Sequence, residues 1–177
     1  TLLDDVKGIS KKNFEALQIL NRQGIDIIIA TGRQYAVAKQ MMEPLGFPLS
    51  ILYSNGAGTR NTLHDELELV YYLDESLFHE VMELAQDLSA GLMINVDVVG
   101  EESNVYWLHN GKMREELQAY GAKNNAYMKR IVPEDGFPDK ALAMIFMGDR
   151  KDLLLLEERI IKANLNCNFH VTKNLKN

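Results

Sequence analysis

Residues Thr31-Gly32-Arg33 directly follow the apolar run "IDIIIA" and lead into a helical pattern. A hydroxyl, a residue without Cβ that lets backbone approach closely, and free N–H groups at a helix start can together hold an anion. In parallel α/β sheets ligands bind beyond the carboxyl ends of strands, where this tripeptide falls. A cation such as Arg33 in a first helical turn opposes the helix dipole, a mismatch that a negatively charged ligand would resolve. The same residues could also be an ordinary cap, with Thr31 as N-cap and Arg33 solvated.

Other candidate groups point to no chemistry. His64, His79, His109 and His170 are scattered without metal-ligand spacing. In "MIFMGDRKDLLLLE", Asp149 follows an apolar strand as a metal-binding carboxylate would, but it is better read as a helix cap with Asp152 in the first turn. Trp107 is expected to pack between strand and helix, and Cys167 to be buried rather than reactive.

The elements that must position the tripeptide are legible by periodicity. Ser10 caps a helix whose apolar face is Phe14, Ala16, Leu17 and Leu20, stopped by Gly24. The strand at 25–30 is almost wholly apolar, which predicts cover on both faces, as in a parallel sheet. Val37, Met41 and Leu45 mark a second helix ending at Gly46, and "LSILY" is a second buried strand, completing a βαβ unit. "NGAG" is a turn signal, and "LELVYY" forms a hairpin with what precedes it.

Past residue 73 the pattern changes. Asp74 caps a helix carrying Leu77, Val81, Leu84 and Leu88, with Leu73 and Phe78 as a hydrophobic staple. "GLMINVDVV" predicts a strand with Ile94, Val96 and Val98 on one side and a wet face of Asn95 and Asp97. "NVYWLHN" is its antiparallel partner. A helix over 113–120, a strand "ALAMIFM", a helix with Leu153, Leu156 and Ile160, and a last strand "CNFHV" complete a small α+β layer.

Composition narrows the function classes. Across 177 residues, 46% are hydrophobic and 25% charged, the balance of a globular protein. A net charge of −6 with interspersed signs offers no broad basic surface for nucleic acid or anionic membrane. No apolar run is long enough for a membrane-spanning helix. The single cysteine precludes an intrachain disulfide and suits a cytoplasmic location.

The order "TLLDD", helix, "IIIATGR", "LSILYSNGAG" resembles the haloacid dehalogenase-like hydrolases, and within them the Cof-type sugar-phosphate phosphatases. The resemblance implies an α/β fold: a partial Rossmann-like parallel core at 1–72, an inserted α+β cap domain at 73–172, and a return linker from 173–177. It also implies Mg²⁺-dependent phosphoryl transfer from a small phosphorylated metabolite through an aspartyl-phosphate. Thr31 carries over as the catalytic strand-end threonine. Thr31, Gly32 and Arg33 would bind phosphate, and Asn55, from the family's Asn-Gly-Ala, would line the site. Asn-Gly at a turn is also plain turn chemistry.

Thr1-Leu2-Leu3 matches the tail of the family's Asp-x-Asp-Gly-Thr-Leu-Leu motif, so the nucleophile and acid/base are expected before Thr1. The family's lysine and Gly-Asp-x-x-Asn-Asp metal motif are expected after the cap. Asp149 and Asp152 have the wrong spacing for that motif, and Lys140, Lys173 and Lys176 are poorly placed to be that lysine. No metal ligand is therefore assigned, and the chain alone is expected to be inactive. A non-catalytic phosphometabolite-binding or interaction protein and a phosphomannomutase-like mutase are the alternatives. The sequence leaves oligomeric state open.

Overall fold

The computed structural model describes residues 2–4, 8–99, 105–108, 128–131 and 136–171. Thr1, His109, the helix expected over 113–120, Lys173, Lys176 and the 173–177 linker lie outside the described residues. The chain is a mixed α/β protein of two compact units, Thr1–Tyr71 and Tyr72–Asn177.

In the first unit, helix α1 (Lys11–Arg22) starts at Ser10, whose hydroxyl accepts from Asn13 N. It ends as Gly24 takes a left-handed φ of 71°. Phe14, Leu17 and Leu20 are half-buried, but Ala16 is exposed, so the apolar face is narrower than expected. Strand β1 (Ile28–Ala30) pairs in parallel with β2 (Ser50–Tyr53), joined through α2 (Tyr35–Met42). The sheet continues as an antiparallel meander through β3 (Gly58–Asn61) and β4 (Glu66–Val70), in the order β1-β2-β3-β4. The expected hairpin therefore forms between β4 and a strand, β3, whose residues "GTRN" carry no apolar alternation.

The prediction that the first strand is covered on both faces is overturned. Ile51 and Tyr53 are sealed at 0% and 1% exposure on the side where α2 packs, whereas Ile28, on the opposite side, is 64% exposed. Within this chain β1 is the edge strand of the sheet. Full burial of a side chain such as Ile51 contributes about 1.5–3 kcal/mol. The second helix also differs from its expected face. Tyr35, Ala38 and Met42 are buried and Val37 is exposed, and Pro44 ends the α-helix in a 3₁₀ turn (Glu43–Leu45) before Gly46.

The second unit is a sheet of order β7-β6-β5-β8, comprising β5 (Ala90–Val96), β6 (Val105–Leu108), β7 (Met128–Ile131) and β8 (Ala141–Gly148). Helix α3 (Glu75–Ala85) lays Phe78 on Leu92, Ile94 and Val96, with Leu73 packed beside it as the staple requires. Helix α4 (Arg150–Ala163) adds Leu156 and Ile160 against Val81 and Ala85, with Met144 and Phe146 beneath. Both helices thus cover one sheet face.

Two expectations fail in this unit. Asn95 and Asp97 are buried, at 7% and 5% exposure, although Ile145 on the face of Asn95 is 37% exposed. Asp97 is satisfied there: Oδ2 accepts from the Tyr72 hydroxyl at 3.1 Å, and its N–H donates to the Lys140 carbonyl at 2.9 Å. Residues 167–171 form no strand; Cys167 N turns back to the Leu165 carbonyl, and Leu165, Cys167 and Phe169 pack on the helix pair instead. Trp107 registers with Met93, on the face opposite Leu92 and Ile94, so it does not pack against α3 or α4. Strand β7 is an addition, parallel to β6, that its sequence "MKRI" did not signal.

Candidate functional site

Thr31 is the first residue past β1, at the carboxyl end of the parallel pair. The chain does not enter the helix there: 31–34 is a bent loop, and α2 begins at Tyr35 with Gln34 as N-cap. The reason is local. The Thr31 hydroxyl oxygen accepts from Arg33 N at 3.1 Å, a side-chain turn that competes with helix geometry. The hydroxyl keeps its own proton to donate outward.

This loop is stitched to the one that follows β2. Thr31 N donates to the Leu52 carbonyl (2.9 Å), Asn55 N to the Thr31 carbonyl (3.1 Å), and Ser54 N to the Arg33 carbonyl (2.9 Å). Ser54, Asn55 and Gly56 all take positive φ (49°, 58° and 97°), a costly run for the two residues that carry side chains. It turns the Asn55 amide over Gly32. A Cβ on Gly32 would lie 2.6 Å from Asn55 Oδ1, so any other residue there would have to displace the Asn55 amide. Thr31, Gly32, Arg33 and Asn55 thus come together, three from one loop and one from the next. Among the described residues, the Gly32 N–H has no protein acceptor and the Arg33 guanidinium has no hydrogen-bond or ion-pair partner. Helix α2 has no acidic residue in its first turn.

The loop opens on a cleft of about 450 Å³, floored by Ile29 and Ala30 and walled by Leu2, Leu3 and Met41. Asp4, Thr31 and Arg33 supply its polar rim. Asp4 was missed by sequence reasoning, although "TLLDD" displayed it. Its Oδ1 accepts from Gly8 N at 2.9 Å, and the Leu3–Ile9 bridge holds that segment in place. Ser54 was also missed, because nothing in its sequence context signals a left-handed backbone.

Behind the loop, Tyr35 and Lys39 on α2 both donate to Asp65 Oδ1 on the β3–β4 turn, Lys39 at 2.6 Å. Burial pushes the Asp65 carboxyl up, but hydrogen bonds from Lys39 and Tyr35 outweigh it and hold the group below the usual carboxylate range. Burial, then the Asp65 hydrogen bond, drive the Tyr35 phenol well above its ordinary value. Lys39 is therefore committed to Asp65 rather than to a ligand.

Residues 1–177 match the profile of the haloacid dehalogenase-like hydrolases. The chain belongs to this family. Phosphatase YwpJ of Bacillus subtilis is 32% identical over 72 residues, which is 41% of this chain and 24% of that protein. Among solved structures, a haloacid dehalogenase-like hydrolase from Bacteroides thetaiotaomicron superposes with a TM-score of 0.69 at 20% identity, covering 93% of this chain and 60% of that one. BT1666 of the same organism, described among the phosphatases of the superfamily, gives 0.69 at 19% identity, covering 92% and 56%. TM0651 from Thermotoga maritima gives 0.68 at 18%, covering 92% and 58%. The chain therefore spans under two thirds of each of these relatives.

A haloacid dehalogenase-like hydrolase implies Mg²⁺, and the residues described do not fit it. Magnesium wants hard oxygen ligands, usually one or two carboxylates beside substrate phosphate. No group of three or more His, Cys, Asp or Glu side chains among the described residues could hold a metal ion. Asp152 Oδ2 accepts from Ser89 N at 3.2 Å, and Asp149 is the N-cap residue of α4, though without a side-chain cap bond. Lys140 sits in a turn with φ of 57°, its carbonyl tied to Asp97. His64, His79 and His170 are exposed. Cys167 is half-buried, and burial pushes its thiol up, away from reactivity. Among the described residues no helix is long and apolar enough to cross a membrane.

Proposed function

We propose that this chain carries the phosphate-binding part of a phosphatase that hydrolyses small phosphorylated metabolites, with sugar phosphates the first class to test. The observation that carries it is the pair of unpaired donors Thr31 and Arg33 lining a cleft at the carboxyl end of a parallel strand pair, with the unpaired Gly32 N–H in the loop between them. The Thr31 hydroxyl and Gly32 N–H donate to phosphoryl oxygens, and Arg33 adds charge where negative charge gathers. Asn55, fixed over Gly32, borders the same oxygens. The residues of this chain bind and orient the phosphoryl group. The attacking aspartate and the carboxylates for Mg²⁺ are assigned to a longer parent protein, in keeping with the share of its relatives that this chain spans. The unit from Tyr72 acts as the cap that selects the leaving group.

The 177-residue chain is expected to bind inorganic phosphate and to leave an aryl phosphate with Mg²⁺ intact. Thr31→Val should weaken phosphate binding about ten- to hundredfold, the loss of one hydrogen bond to a charged group. Isothermal titration and a colorimetric assay check both points; robust turnover, or affinity indifferent to Thr31→Val, would show the site lies elsewhere. Non-catalytic phosphometabolite binding is the second reading, since the Thr31 and Arg33 donors serve binding with or without hydrolysis. Reconstituted activity with the parent protein's remaining segments separates the two.

A further inference from the structure

The two loops of the cradle are bracketed by two tyrosines. Tyr35 is the first residue of α2, directly after the Thr31–Gln34 loop, and Tyr53 is the last of β2, directly before Ser54 and Asn55. Their rings lie 5.5 Å apart at 56°, and both are buried, at 5% and 1% exposure. Gly58 closes the far side of Tyr53, where a Cβ would fall 2.4 Å from the ring. The Arg60 guanidinium sits 5.7 Å above the Tyr35 ring, and its Nη1 donates to the Asp65 carbonyl at 2.9 Å. The Tyr35 hydroxyl donates to the Asp65 carboxylate and lies 3.3 Å from the Asn61 carbonyl.

We propose that Tyr35 is a positioning residue for the phosphate cradle: its ring on Tyr53 and its hydroxyl on Asp65 set the spacing between the Thr31–Arg33 loop and the Ser54–Asn55 loop. The inference rests on the proposed phosphate site. Left-handed side-chain-bearing residues such as Ser54 and Asn55 persist only where their surroundings over-determine them. The Asn55 amide can stay over Gly32 only while both loops hold their register. The Tyr35–Tyr53 contact is the packed link between the two loop ends, and Asp65 fixes it from the hairpin side. A donor set held rigid before binding avoids the ordering cost that a loose one meets.

The test uses the ¹⁵N-labelled 177-residue chain, inorganic phosphate as the probe, and the Gly32 amide signal as the readout. Tyr35→Phe keeps the ring and removes the hydroxyl. It should weaken phosphate affinity about tenfold and change the Gly32 amide shift at saturating phosphate, consistent with lost preorganisation. Asp65→Ala removes the acceptor and also releases Lys39, so it should weaken binding at least as much, and adding Tyr35→Phe to it should cost nothing further, because the Tyr35–Asp65 bond is already gone. A Tyr35 that only stabilises the fold would lower the thermal midpoint and leave affinity and the bound Gly32 shift unchanged, and that result overturns the inference. If Tyr35→Phe does not fold, Asp65→Ala decides by the same criteria. Failure of the unaltered chain to bind phosphate would instead overturn the proposed function, and the inference with it.

Discussion

At the end of β1 and again at the end of β8, an apolar strand runs through a glycine into a helix, yet the two turns are built for opposite ends. After β8, Asp149 is the N-cap, α4 starts one residue later, and Asp152 in its first turn takes the Ser89 N–H at 3.2 Å. Acidic residues of the chain thus occupy the positive end of that helix. Gly148 is needed because the neighbouring main chain presses on it: a Cβ would meet the Ser89 carbonyl at 2.9 Å. After β1 the helix waits until Tyr35, its first turn holds no acid, and Arg33 stands at its mouth. At Gly32 a Cβ would meet a side chain, the Asn55 amide, rather than main chain. One glycine closes a structure, and the other keeps a set of donors open.

The largest expected effect comes from writing one turn into the other. Arg33→Asp turns Gly-Arg into the Gly-Asp of the second turn and should weaken phosphate binding by about a hundredfold or more, since like charges in contact cost several kcal/mol. Arg33 is exposed, so the thermal midpoint should barely move. Unchanged affinity in a phosphate titration would mean that the charge at the α2 entrance plays no part. The reciprocal contrast is Gly148→Ala. Overpacking against main chain should destabilise the second unit by about 1–3 kcal/mol, read as a shifted urea midpoint, with phosphate affinity intact. A Gly148→Ala chain with native stability would remove the close-packing account of that turn.

What the sequence displayed and what it hid follow the same division. The βαβ unit, the Ser10 cap, the Leu73–Phe78 staple and the cluster of Thr31, Gly32 and Arg33 are local patterns, each encoded within a few residues. Burial of Asn95 and Asp97 was hidden because alternation marks two faces without saying whether either meets water, which is set by what packs on each face from elsewhere in the chain. Strands "GTRN" and "MKRI" lack apolar signal and exist through ladder pairing with neighbours. "CNFHV" alternates like a strand but satisfies its apolar residues on helices. Asp4 and the Tyr35–Asp65 contact join positions far apart in the chain, which no local window reports.

The two helices also differ in how their first turns are anchored, and pH separates them. Helix α4 is held by its own Asp152, whereas α2 is held from outside by the Asp65 carboxylate, which its own Tyr35 phenol reaches. The Tyr35 phenol is raised by burial and then by its bond to Asp65, so the folded state keeps the proton that the unfolded chain releases near pH 10. Its contribution is full below that point and drains away as the pH climbs beyond it, since the unfolded state alone then gains from ionisation. Asp65 acts with the opposite sign. Its carboxyl is held low in the folded state despite burial, by Lys39 and Tyr35, so its contribution is full above the ordinary carboxylate range and is lost as acid protonates it below that range. Urea midpoints should therefore fall on both flanks. In Tyr35→Phe the alkaline decline should be shallower than in the unaltered chain, because the other tyrosines remain in both and cancel. Parallel alkaline limbs in the two chains would show that the phenol is not held protonated, and the anchoring of α2 would then rest on Lys39 and Asp65 alone.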